Sequence, residues 1–365
     1  MSEVAPSALK DMFDAARFRQ IAGLLADAHR GFDQKHFLEI ATAGLDELSL
    51  TQRVRRATVA CHVTLPAKYP AALRVLKKIA PKVQQGFVGI FLPDFVGVHG
   101  HAHFEESMDA LKFFTLFSSA EFAIREFLKR DLSRTLRVME QWSLDPNEHV
   151  RRLASEGSRP RLPWSFRLDA IARDPALAEK ILNNLKADPS LYVRKSVANH
   201  LNDISKDHPE LMLDRLVAWG LKNPHTAWIA RHASRSLIKA GHPRSFHLFG
   251  FTSSVAVKLT RFTVTPTKLK LGETLTLSLT LKSGASKAQK LAVDYIVHYR
   301  KKTGQLAPKV FKLKELTLKA GETITLGKRQ RITEFTTRKH YAGRHAVEIM
   351  INGKVFGSRT FELMT

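Results

Sequence analysis

The spacing of apolar residues changes once along the chain, and that change fixes the architecture. Between about Leu9 and about Leu237 they recur at three and four positions, as in Leu185, Val193, Val197 and Leu201, or Val150, Leu153 and Ala154. This is the period of helices with one buried face. Beyond about Phe251 they alternate: Leu275, Leu277, Leu279 and Leu281; Val293, Tyr295, Val297 and Tyr299; Val347, Ile349 and Ile351. That is the period of strands with one face in a core. Leu271-Gly272-Glu273, Ala320-Gly321-Glu322 and Asn352-Gly353 punctuate these runs, and Asn352-Gly353 predicts a two-residue hairpin.

The helical half carries an internal repeat. Asp145-Pro146 leads into Val150-Arg151-Arg152, Asp188-Pro189 into Val193-Arg194-Lys195, and Asn223-Pro224 into Trp228-Ile229-Ala230-Arg231, at offsets of 43 and 35 residues. Such offsets suit a helix pair in which Pro prepares the helix start and Val or Trp packs inward. The expected fold is therefore an α-solenoid of HEAT-like helical repeats over residues 1–245, then an all-β immunoglobulin-like sandwich over residues 255–365. The sandwich should have about seven antiparallel strands, and Gly241 to Ser254 reads as the linker.

Charge narrows the partners. The 365 residues hold 58 Lys plus Arg against 34 Asp plus Glu, a formal charge of +24, which points to a polyanion and first to nucleic acid. Residues 251–365 contribute 22 basic and seven acidic side chains, so the sandwich should bind phosphates. In the solenoid, Arg151, Arg152, Arg194, Lys195, Arg231 and Arg235 recur at related positions and could line a concave basic groove. Taken singly, each reads as a solvated surface charge. One cysteine, Cys61, excludes an internal disulfide framework and a thiolate zinc cluster and fits a reducing, cytoplasmic compartment. No signal peptide or membrane span is expected, since Met1 to Lys10 has no apolar stretch and the most apolar run, Gly86 to Leu92, stops at Pro93. Nothing signals an oligomer, and a monomer is the default. No phosphate loop, serine elbow or dinucleotide fingerprint is present, which argues against nucleotide hydrolysis.

One segment concentrates reactive side chains: Val150-Arg151-Arg152-Leu153-Ala154-Ser155-Glu156-Gly157-Ser158-Arg159-Pro160-Arg161-Leu162-Pro163-Trp164. Val150, Leu153 and Ala154 make a buried stripe, Gly157 reads as a helix C-cap, and the prolines stiffen the following loop. Glu156 then sits in the last helical turn, where the helix dipole disfavours an anion unless a cation compensates. Spacing alone favours a plain Arg152–Glu156 ion pair over catalysis. Four arginines around one acid, with Trp164 after Pro163 in a polar loop, also suit an anionic polymer carrying an aromatic cation. Trp142, Trp219 and Trp228 are expected in cores. Ser118 and Glu121 have the spacing of a capping box, and Asp203 that of an ordinary surface acid. His99, His101 and His103 alternate, but a glycine-flanked polar loop explains them better than a metal site.

The segments Phe117-Ser118-Ser119-Ala120-Glu121-Phe122-Ala123-Ile124-Arg125-Glu126-Phe127-Leu128 and Val150 to Trp164 resemble the AlkC branch of the bacterial AlkC/AlkD DNA alkylation-repair glycosylases. The resemblance covers the helical half, and a C-terminal immunoglobulin-like domain in some members matches the rest. It implies a monofunctional glycosylase acting in base excision repair on double-stranded DNA containing alkylated bases. The bases removed would be 3-methyladenine, 3-methylcytosine and 1-methyladenine, with no cofactor and without full base extrusion. It implies a bacterial, nucleoid-associated protein. By position Glu156 is the catalytic acid and Trp164 the lesion-contacting aromatic, with Glu121 and Asp203 supporting them. Arg152 and Arg159, with Arg151, Arg161, Arg194, Lys195, Arg231 and Arg235, would meet the DNA backbone. Glu126 departs from the family, where Pro commonly follows this Arg. Two other classes stay open: a non-catalytic DNA-binding scaffold, and an adaptor for acidic proteins.

Overall fold

The computed structural model describes residues 9–83, 87–252, 254–334 and 339–364. Gly86, Ser253 and the start of the N-terminal segment noted above lie outside them. The chain divides into two compact units. The first holds residues 1–208 and 219–233, and the second residues 209–218 and 234–365. The short helices Arg235–Lys239 and Pro243–Leu248 thus group with the β region.

The first unit is helical throughout its described residues and repeats as the Asp-Pro pattern suggests. The Leu191–Ile204 helix packs against both the Glu148–Gly157 and the Pro224–Ala233 helices, which is how stacked repeats share one core. Asn147, Ser190 and Asn223 supply the start signals, their side chains accepting from the backbone N–H two residues on. Pro146 and Pro189 precede these caps, while Pro224 is itself the first helical residue. Aligned on the caps, the repeats are offset by 43 and then 33 residues. The inward position three after the cap is Val150, Val193 and, in the third repeat, Thr226, all buried. Trp228 therefore does not occupy it: the ring is half-buried and stacks on His232. Trp219 is also half-buried, with its indole N–H on Asn183, so of the three tryptophans expected in cores only Trp142 is fully buried.

The second unit is a two-sheet sandwich of eight strands. They are β1 (Val257–Thr265), β2 (Lys268–Lys270), β3 (Thr274–Ser283), β4 (Gln289–Arg300), β5 (Leu306–Leu318), β6 (Thr323–Arg331), β7 (Gly343–Ile351) and β8 (Lys354–Met364). One sheet runs β1-β3-β6 and the other β2-β8-β7-β4-β5. All pairings are antiparallel except that of β2, a three-residue strand lying parallel to β8, the addition to the seven expected. Leu275, Leu277, Leu279 and Leu281 of β3 meet Val293, Tyr295, Val297 and Tyr299 of β4 and Val347, Ile349 and Ile351 of β7 in one buried cluster. Alternation on the two inner faces closes the core. Asn352 and Gly353, both at positive φ, turn β7 into β8 as a two-residue hairpin requires. A second cluster of Ile238, Phe246, Phe251 and Ala292 ties residues 234–251 to the sandwich.

Candidate active site

The three acids and two arginines singled out above converge in the helical unit. Glu121 is the first residue of the Glu121–Arg130 helix, where the dipole favours an anion. Its carboxylate accepts two hydrogen bonds from Arg152, at 3.0 and 3.1 Å. Arg152 also lies 3.8 Å from Glu156, one turn along its own helix. Glu156 receives a closer bond, 2.7 Å, from Arg159, whose Nε donates at 2.8 Å to Asp203 on the next repeat. Lys206 approaches Asp203 at 3.4 Å. Opposite charges thus alternate in an unbroken line from Glu121 to Lys206.

This line is almost out of water, but not sealed. The Glu121, Glu156 and Asp203 side chains keep 8%, 9% and 4% of their exposure, while Lys206 is half-exposed. Three buried carboxylates thus face the buried Arg159 and the largely covered Arg152. Burial alone would lower the Arg152 and Arg159 pKa values, but the adjoining carboxylates raise both. Tyr192 lies under Arg152, with its ring centroid 5.0 Å from the guanidinium carbon.

Three expectations change here. Ala120 rather than Ser118 is the N-cap, the Ser118 N–H goes to the Phe114 carbonyl, and the Glu121 carboxylate is taken by Arg152 instead of reaching back to close a capping box. Asp203 is buried rather than a surface acid. Gly157 is the last helical residue and not a left-handed cap, which Ser158 follows at φ −87°. Its missing side chain serves close packing, since a Cβ there would come within 2.5 Å of Ile124.

Trp164, 66% exposed and with φ at +65°, lies on the loop that follows Arg159 and lines a cleft shared with Ser119. A bulky side chain seldom adopts that left-handed conformation unless its surroundings impose it. They do so through Arg125, a residue that the sequence pattern left without a role. Its fully buried guanidinium donates to the carbonyls of Gly157, Arg159 and Phe166 and to the Ser165 hydroxyl, so it spans the loop on both sides of Trp164. Burial, then the neighbouring Arg159, lowers its pKa to about 10, which leaves it charged at neutral pH. A cation among Ala123, Ile124, Phe127 and Leu128, all inward-facing, was the available signal. The Trp164 ring meets Phe87 edge-on at 6.2 Å.

The other basic residues divide. Arg151 binds Asp188 at 2.7 and 3.2 Å and donates to the Asp145 and Pro146 carbonyls. Arg194 donates likewise to the Asp188 and Pro189 carbonyls. Their recurrence is thus explained by the repeat itself: each guanidinium secures its own Asp-Pro turn. The 33-residue offset puts Ala227 at this position in the third repeat, so Arg231, half-buried, is not its equivalent. Arg161 pairs with Asp207 through two bonds of 2.8 Å, and Arg235 belongs to the second unit. Arg152 and Arg159 direct their donors at carboxylates rather than outward. Lys195 is exposed and open to an anion. His99 ends the Phe91–His99 helix and stacks on His62 at 3.8 Å, so the three histidines do not converge. Among the described residues no cluster suited to a metal is found.

Comparison with known proteins places the chain in a family. Residues 108–237 match the family described as DNA alkylation repair enzyme, and residues 258–365 the C-terminal Ig-like domain of the uncharacterised protein YhaZ. The uncharacterised protein YhaZ of Bacillus subtilis (strain 168) is 40% identical over 356 residues, 97% of this chain and 99% of that one. The Pseudomonas fluorescens alkylpurine DNA glycosylase AlkC, solved bound to DNA containing an abasic site analog, is 53% identical. It superposes with a TM-score of 0.96 over 98% of this chain and 100% of that one.

Proposed function

Because the chain belongs to the AlkC branch of the DNA alkylation-repair glycosylases, with a C-terminal immunoglobulin-like domain, we propose that its substrates are 3-methyladenine, 3-methylcytosine and 1-methyladenine in double-stranded DNA. The observation carrying this reading is the line of three nearly buried carboxylates, adjoined through Ser119 by a cleft that the exposed Trp164 indole lines. A base methylated at such a nitrogen already bears a positive charge, so its departure needs no protonating acid, unlike the leaving group of an ordinary glycoside. What the reaction needs is stabilisation of the cationic sugar and a placed water.

Glu156 supplies both in this proposal. Its carboxylate is fixed by Arg159 and kept from bulk water, so its charge acts through a poorly screening medium on the oxocarbenium-like transition state. Holding Glu156 in place beforehand removes reorganisation at the moment of bond breaking. Glu121 and Asp203 add negative potential, and the two guanidiniums limit the repulsion among the three acids. The Trp164 face receives the sugar and the cationic base.

The second unit offers a surface for the DNA backbone. Strands β1, β3 and β6 contain no Asp or Glu, and Lys258, Arg261, Lys282, Arg329 and Arg331 are exposed on them. Pairing places Arg261 opposite Thr280, Arg329 opposite Thr276, and Ser278 opposite Gly327. Cations, hydroxyls and a bare backbone on one flat face suit phosphates. The direct test of activity is incubation with duplex DNA carrying 3-methyladenine or 3-methylcytosine, followed by chromatography for free base. Strong binding with no base released would favour a non-catalytic scaffold.

A further inference from the structure

A cleft of about 390 Å³ is lined by Trp164, a size suited to a small planar ligand. Phe87, Phe122, Phe166 and Trp164 wall it, so its surface favours an aromatic ring. Two carboxylates also line it, and they differ. Asp94 accepts two bonds from Arg55, at 2.9 and 3.0 Å, and a third from the Thr58 hydroxyl at 2.6 Å. Glu126 is half-buried and, among the described residues, has no hydrogen bond or ion pair. Beside it on the wall, His101 has a buried Nδ1 with no hydrogen-bond partner among the described residues. Burial, then Arg130, lowers the pKa of this imidazole, which keeps it neutral. The cleft therefore combines ring-stacking walls with one carboxylate, Glu126, that has no hydrogen-bonded partner among the described residues.

The chemistry of bond breaking says what could fill it. When C1′–N cleaves, both bonding electrons stay with the base and cancel its positive charge; water gives hydroxide to C1′ and a proton to solvent. The departing base is neutral and loses its attraction to the line of anions. It keeps an aromatic ring and, in all three proposed substrates, a nitrogen substituent bearing N–H. Ser119 lines the cleft and also accepts from Arg152 at 3.3 Å, so the cleft adjoins the carboxylate line. We propose that this cleft is a product site, which holds the released methylated base between aromatic walls with its exocyclic nitrogen donating to Glu126. The assignment rests on the glycosylase reading above.

The test uses the full chain without DNA. Equilibrium dialysis should show binding of free 3-methyladenine, weakened about tenfold both in Glu126→Gln and when purine, which lacks the amino group, replaces it. Added 3-methyladenine should slow multiple-turnover base release by wild type and not by the variant. Single-turnover release should be equal in the two, and equal melting temperatures would show that both are folded. Absence of free-base binding, or equal binding of purine, overturns the product site. A fall in single-turnover release in Glu126→Gln also overturns it, since the cleft would then take the base before cleavage. If wild type releases no base from methylated DNA, the glycosylase reading fails, whereas base release without free-base binding refutes the product site alone.

Discussion

Arg125→Met removes the guanidinium that holds the Trp164 loop. Four contacts disappear, to the carbonyls of Gly157, Arg159 and Phe166 and to the Ser165 hydroxyl, in a pocket where the side chain has no exposure. A hydrogen bond from a charged group contributes about 1.5–3 kcal/mol, and a buried carbonyl left unpaired costs a similar amount. The four do not add in full, because the loop can relax and methionine fills part of the space. A net loss of about 3–5 kcal/mol follows, comparable to breaking a buried ion pair. For a unit of this size that lowers the melting temperature by roughly 6–20 °C. Circular dichroism at a helical wavelength reads it. Arg125→Lys keeps the charge but lacks the fork, so it should recover about half of the stability. At a temperature where that variant is folded, single-turnover base release should fall by about 10- to 100-fold while DNA affinity changes by less than about threefold, because a displaced indole costs reaction geometry more than binding. A melting temperature of Arg125→Met within about 2 °C of wild type would show that the loop is held by something else. Full activity in Arg125→Lys would show that the Trp164 orientation does not matter.

Arg159→Met strands Glu156 and Asp203 together and should cost about 3–5 kcal/mol in urea unfolding, whereas adding Asp203→Asn should recover part of that loss. Gly157→Ala should destabilise by about 1–3 kcal/mol despite the better helix propensity of alanine, since the new methyl meets Ile124; a neutral result would mean the two helices can separate freely. Replacing Arg261, Lys282 and Arg329 together by glutamine should reduce the slope of log affinity against log salt by about 2–3 if each neutralises one phosphate, and an unchanged slope would place that face away from DNA.

The β half was legible because a period of two admits one arrangement: every alternating Leu, Val, Ile or Tyr named from sequence is in the core. The helical half was legible in its repeat but not in its register. Aligning Trp228 with Val150 and Val193 matched one large apolar residue to two smaller ones, when the caps at Asn147, Ser190 and Asn223 set the spacing and bring Thr226 inward. The recurring Arg151 and Arg194 looked like a phosphate stripe because sequence shows charge and not its partner; the partners are carbonyls in their own turns. Glu121 illustrates the same gap. Ser118 at the right spacing suggested a local bond, and the stronger claim came from Arg152, 31 residues away. The convergence of Glu121, Glu156 and Asp203 rests on contacts between different repeats, which no local pattern encodes.

The most direct measurement compares wild type with Glu156→Gln in single-turnover release of 3-methyladenine from duplex DNA, at enzyme concentrations that saturate binding for both. Glutamine keeps the shape and can still meet Arg159, but it carries no charge. The account predicts a fall in rate of at least about 100-fold with DNA affinity within about threefold of wild type. Release at the wild-type rate would contradict it.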